Sequence, residues 1–171
     1  MRVEWSLDDF DLPAEELPAA FEPVAERFEM RWRVEYSGVR PRVAIFVSRY
    51  LHCLMDLLHR HQTGELACDI PLIISNHPDA APLAAFHGIP FHHVPVEKDK
   101  KAEAECRQLE LLEKCGVDLI VLARYMQVLS PGFVARYPQR IINVHHSFLP
   151  AFSGARPYHA AFQRGVKLIG A

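Results

Sequence analysis

The sequence predicts an α/β fold, a mostly parallel sheet with helices on both faces, preceded by a small α+β unit. Three observations predict it. From residue 42 onward, short apolar runs alternate with segments of helical period. Those runs are apolar at consecutive positions, as in strands buried on both faces of a parallel sheet. Before residue 39 both the period and the charge differ: residues 1–30 hold nine carboxylates against two arginines.

Residues 1–38 read as a β-α-β unit. Residues 2–6 alternate like a strand; Leu17, Ala20, Phe21, Val24, Ala25 and Phe28 then mark one helix face, and residues 30–36 alternate again. Pro18 suits a first helical turn, whereas Pro23 predicts a kink and an ordered segment that starts late. So small a unit cannot bury enough surface alone and needs more chain or a partner. Ser37-Gly38 closes it, Arg40-Pro41-Arg42 reads as a linker, and residues 39–171 form the second domain.

In that domain the first strand is 42–47, and Leu51, Leu54, Met55 and Leu58 mark the helix behind it. Strand 71–75 leads to a short helix near 79–87, and a third strand covers 91–95. A helix at about 100–115 follows, its buried face expected on Ala102, Cys106, Leu109 and Leu112, then a strand at 117–123. Ser130-Pro131-Gly132 opens a short helix to Tyr137; 140–144 is a strand, 157–164 a helix and 166–171 the start of a sixth strand. Ligands of such sheets bind at the carboxyl ends of the strands.

Composition narrows the function. With 171 residues, 50% apolar and 23% charged, the chain is an ordinary globular protein of one domain or slightly more. No apolar run approaches a membrane span, and the acidic start is unlike a targeting peptide, so a cytoplasmic protein is expected. Net charge of −2 predicts no nucleic-acid partner. Yet no residue after Asp118 is acidic, so this stretch either faces an anion or is simply buried. Cys53, Cys68, Cys106 and Cys115 lack C-x-x-C spacing and read as free thiols, and the ten histidines show no zinc-site spacing.

Two turns carry chemical information. The first strand-to-helix turn, Val47-Ser48-Arg49-Tyr50-Leu51-His52, has no glycine, which disfavours a dinucleotide or nucleoside triphosphate cradle. The second is Asn143-Val144-His145-His146-Ser147-Phe148-Leu149-Pro150, at the carboxyl end of a strand. Alternation puts Asn143 and His145 on one side, where an amide donor and an imidazole could grip a carbonyl oxygen and move a proton at the attached nitrogen. The same residues could equally cap backbone groups in a polar turn.

Asn143-x-His145-x-Ser147-x-Leu149-Pro150, followed by Phe152-Ser153-Gly154, resembles the signature of the folate-dependent formyltransferases, a Rossmann-like fold. The formyltetrahydrofolate deformylases are the most similar group, with His146 where the transferases carry proline. Ile73-Ile74-Ser75-Asn76-His77-Pro78, Leu122-Ala123-Arg124-Tyr125-Met126-Gln127 and Ser153-Gly154-Ala155-Arg156-Pro157-Tyr158-His159 also match. The resemblance implies hydrolysis of 10-formyltetrahydrofolate to tetrahydrofolate and formate, with Asn143 and His145 catalytic. It implies folate contacts from Ala123, Arg124, Tyr125, Met126, Gln127, Ser147 and Leu149, no metal and no prosthetic group. Residues 1–38 then resemble the second half of an ACT domain, whose complete form implies a homo-oligomer. The family's catalytic Asp would fall beyond Ala171, so a chain cut at both ends and impaired is expected. An amine formyltransferase and a non-catalytic folate-binding remnant are the alternatives.

Overall fold

The computed structural model describes residues 3–8, 10–97, 99–143 and 157–166. The chain divides into two compact units, Met1–Val39 and Arg40–Ala171.

The first unit holds one helix, α1 (Leu17–Arg27), which buries Leu17 and Ala25. Pro23 lies inside it, so the helix runs through the position where a late start was expected, without one backbone N–H donor. Phe21 meets Trp32 edge-on at 4.9 Å, and the Tyr36 hydroxyl donates to the Ala14 carbonyl. The alternating segments 3–6 and 30–36 form no strand among the described residues. Alternation supplies a two-faced ribbon, but a strand also needs a neighbouring backbone to bond.

The second unit is a five-stranded parallel sheet in the order β3-β2-β1-β4-β5, built from β1 (Arg42–Val47), β2 (Asp69–Ser75), β3 (Phe91–His93), β4 (Leu119–Ala123) and β5 (Ile141–Asn143). The connecting helices are α2 (His52–Gln62), α3 (Ala81–Phe86), α4 (Lys101–Lys114) and α5 (Pro131–Arg136), with α6 (Pro157–Gln163) after β5. The parallel α/β architecture is the one expected from the sequence. Strand β2 starts two residues earlier than expected because Pro71 does not interrupt it. Arg42 pairs with Asp69 but Ala44 with Leu72, so β2 carries an extra residue there, and Pro71 sits in that irregularity. The expected sixth strand falls largely on residues 167–171, outside the described residues.

The central strands fill two cores. On one face Phe46, Leu72, Ile74, Ile120 and Leu122 pack with Leu112 of α4 and Phe133 of α5. On the other, Ile45, Val47, Ile73 and Ala123 pack with Leu54 and Leu58 of α2 and Ala84 of α3. Helix α4 buries a different face from the one its apolar spacing indicates. Ala104, Glu105, Gln108, Leu111 and Leu112 are buried, while Ala102 and Cys106 are exposed. The reason is polar: Gln108 and Glu105 are drawn inward by hydrogen bonds to the loop after β4. Gly116, at φ +56°, ends α4; its N–H bonds Glu113 O and the next N–H bonds Leu112 O, turning the chain into β4.

Phe46 joins the sheet to both loop and helix, meeting Tyr125 at 5.2 Å and Phe133 at 6.1 Å, both edge-on. Phe46→Ala is expected to cost about 3–5 kcal/mol, read as a lower urea midpoint at unchanged m-value.

Candidate functional site at the carboxyl edge of the sheet

The chain runs outward from β1 through β2 to β3, then returns to place β4 on the other side of β1. The crevice between such diverging connections is where open α/β sheets bind ligands. The loops meeting there are those after β1, β2 and β4, with Asn143 closing β5 beside them.

Ser48 joins the first three loops. Its buried hydroxyl donates to Asn76 Oδ1 at 2.7 Å and accepts from the Met126 N–H at 3.0 Å. The turns after β1, β2 and β4 are therefore fixed to one another by a single oxygen. Beside it, the Ser75 hydroxyl accepts from the His77 N–H at 3.1 Å. A cavity of about 130 Å³ opens over this clasp, lined by Ser48, Tyr50, Asn76, His77 and Gln127 among others.

The loop after β4 divides its side chains. Ala123 is buried as the last residue of β4. Arg124 has a left-handed backbone, φ +55°, and its guanidinium lies 5.0 Å from the centre of the Tyr50 ring. Tyr125 turns into the core, where its hydroxyl accepts from Gln108 Nε2 at 2.9 Å. Burial, reinforced by the nearby Glu105 and opposed by the Gln108 bond, leaves this phenol pushed up to about 12. The Met126 side chain is exposed, its N–H held by Ser48, and Gln127 lines the cavity. The loop thus presents backbone, Arg124 and Gln127 to the edge and keeps Tyr125 as its anchor. Further along, Glu105 Oε1 accepts from the Ser130 N–H at 2.8 Å, and Ser130 caps α5 through the Phe133 N–H.

Asn143 ends β5, exposed and in register with Leu122, one residue before Ala123. It therefore stands at the same edge as the Arg124 loop. His145, Ser147 and Leu149 lie outside the described residues. Asp69 and Asp118 occupy the opposite edge, where Asp118 Oδ2 accepts from the Arg42 N–H at 2.8 Å. Among the described residues no three His, Cys, Asp or Glu side chains come together as a metal site, and the four cysteines are free. His92 on β3 is held below the usual histidine range by burial and by the positive Arg107 and Lys114.

Sequence reasoning did not single out Ser48, Asn76 or Tyr50 as site residues. The available signal was their position: each lies in a turn directly after a continuous apolar strand, in segments that carry the family resemblance.

A family model described as formyl transferase matches residues 41–171. Over 170 residues the chain is 51% identical to the formyltetrahydrofolate deformylase of Synechocystis sp., covering 99% of this chain and 60% of that protein. It is 53% identical over 171 residues to the formyltetrahydrofolate deformylase of Bacillus subtilis, covering 57% of it. The crystal structure of the formyltetrahydrofolate deformylase from Burkholderia mallei superposes with a TM-score of 0.82 at 56% identity, over 94% of this chain and 57% of that one. The chain thus spans about 60% of the length of the curated relatives it matches.

Ser48→Ala removes the donor to Asn76 and the acceptor for Met126. It is expected to cost about 1–3 kcal/mol in a denaturant melt, with faster amide exchange at Met126. The Tyr125 phenol ionises near 10 when unfolded and near 12 when folded, so the native state keeps its proton longer. Stability is expected to fall as pH rises from about 10 to about 12, and Tyr125→Phe should flatten that part of the stability profile.

Proposed function

The chain belongs to the formyl transferase family, and from that premise we propose that it hydrolyses 10-formyltetrahydrofolate to tetrahydrofolate and formate. The observation that carries this reading is the turn after β1. It has no glycine, and the Ser48 hydroxyl is already engaged by Asn76 and Met126. Without glycine the backbone of this turn cannot approach a phosphate as closely as a glycine-rich cradle does, which favours water over a phosphate-bearing acceptor as the nucleophile. The deformylase names of relatives near 50% identity support the same choice.

In the proposed reaction the pterin lies against the backbone of residues 123–127, whose position Ser48 and Tyr125 fix from behind. Water adds to the formyl carbon, and the carbonyl oxygen becomes an oxyanion. Asn143, at the edge of β5, donates its amide N–H to that oxygen; one such donor is worth roughly 10²–10³ in rate. His145 takes one proton from the attacking water and delivers it to N10 as the carbon–nitrogen bond breaks, and the second water proton passes to solvent, so tetrahydrofolate leaves neutral at N10 and the carbon departs as formate. Ser147 and Leu149 complete the folate contacts in this reading. No metal or prosthetic group takes part. The N-terminal unit is read as part of an ACT domain that pairs subunits of a cytoplasmic enzyme. The exposed apolar side chains of Val3, Trp5 and Met30 in its alternating segments support an association role.

In a protein of the relatives' full length that carries this sequence, Asn143→Ala and His145→Ala are each expected to lower formate release from 10-formyltetrahydrofolate at least about 10²-fold. Formate release by both variants at the unsubstituted rate removes these residues from the mechanism. Formyl transfer to glycinamide ribonucleotide in place of formate release replaces hydrolysis with transfer.

A further inference from the structure

Arg124 is held in a way the fold itself does not require. Its backbone, at φ +55°, occupies the region open to glycine and costly for a residue with a side chain. Its Nε is buried and has no hydrogen-bond partner among the described residues. None of the ion pairs among the described residues includes it. Among the described residues its guanidinium stands over the face of Tyr50, which is itself 61% exposed and so adds little to the core. A partly desolvated guanidinium with an unused donor is unfavourable until an acceptor, above all an anionic one, meets it.

The surroundings suit an anion. Tyr50, though not Arg124 itself, lines the cavity of about 130 Å³ at this edge, together with Arg49, His77 and the amide side chains of Asn76 and Gln127. No carboxylate lines that cavity, and none follows Asp118 in the sequence. The space opens to solvent and admits an anion as small as formate. Asn76 Oδ1 is engaged by Ser48, which leaves the Asn76 amide N–H₂ as its free end.

We propose that Arg124, presented on the ring of Tyr50, is a carboxylate-binding residue and that its ligand is formate. The proposal rests on the hydrolytic reading, in which formate is the product that must leave this edge. It adds a receiving site for that product beside the reacting centre. The same chemistry could come from the glutamate carboxylates of a folate, so the test separates the two sources.

Carbon-13 formate titrated with the 171-residue chain should show saturable line broadening. Arg124→Gln is expected to weaken binding at least tenfold, while Arg40→Gln, placed outside the site, leaves it unchanged. Arg124→Gly is expected to lose binding equally, yet to melt at the same or a higher temperature, because glycine fits the backbone there. Circular dichroism checks that both variants are folded. Absence of formate binding by the unsubstituted chain, or unchanged affinity in Arg124→Gln and Arg124→Gly, overturns the proposal. p-Aminobenzoylglutamate is the second probe. If its binding depends on Arg124 and that of formate does not, the carboxylate is the folate tail and the formate assignment falls. Arg124-dependent formate binding, with no formate released from 10-formyltetrahydrofolate by a protein of the relatives' full length that carries this sequence, upholds the site and overturns the hydrolytic reading alone.

Discussion

Parallel strands end independently, and at the crevice between β1 and β4 the chain departs toward opposite sides of the sheet. Something must tie those departures together if a ligand is to meet a fixed surface. Here it is the Ser48 hydroxyl, which links the turns after β1, β2 and β4 through Asn76 and the Met126 N–H. A hydroxyl suits this task because it donates and accepts at once, and burial strengthens both bonds by excluding competing water.

The loop after β4 depends on that clasp and on a second anchor behind it. Tyr125 reaches back to Gln108 and packs against Phe46, and Glu105 holds the Ser130 N–H farther along. These polar groups are buried because they have partners, and together they turn α4 so that its polar residues face inward. With its backbone fixed at both places, the loop can keep Arg124 in a left-handed conformation that an unrestrained chain would abandon. Strain at the edge is thus sustained by satisfied hydrogen bonding within.

Much of the second unit was legible in the residues. The apolar run 42–47 coincides with β1, and continuous rather than alternating apolarity indicated strands covered on both faces. The turn Ser130-Pro131-Gly132 opened its helix as expected. The N-terminal unit was less legible: alternation at 3–6 and 30–36 marked two-faced segments but could not supply the backbone partner a strand requires. Pro23 was read as a kink and Pro71 as the first residue of its strand; the helix passes through Pro23, and the strand starts two residues before Pro71, which sits at an irregularity in the ladder. At the site, Asn143 and residues 123–127 could be named because they follow apolar strands within recognisable motifs.

The sequence by itself determined the α/β class, the strand edge where such sheets bind ligands and the lack of glycine in the turn after β1, because these follow from local period and residue type. Tertiary structure alone decided that the Ser48 hydroxyl donates to Asn76 Oδ1, 28 residues away. It also decided that Tyr125 belongs to the core, and that Arg124 stands over Tyr50 with a donor unused. Those are contacts between distant turns, and hydrophobic period carries no information about which polar atoms will meet when the strands align.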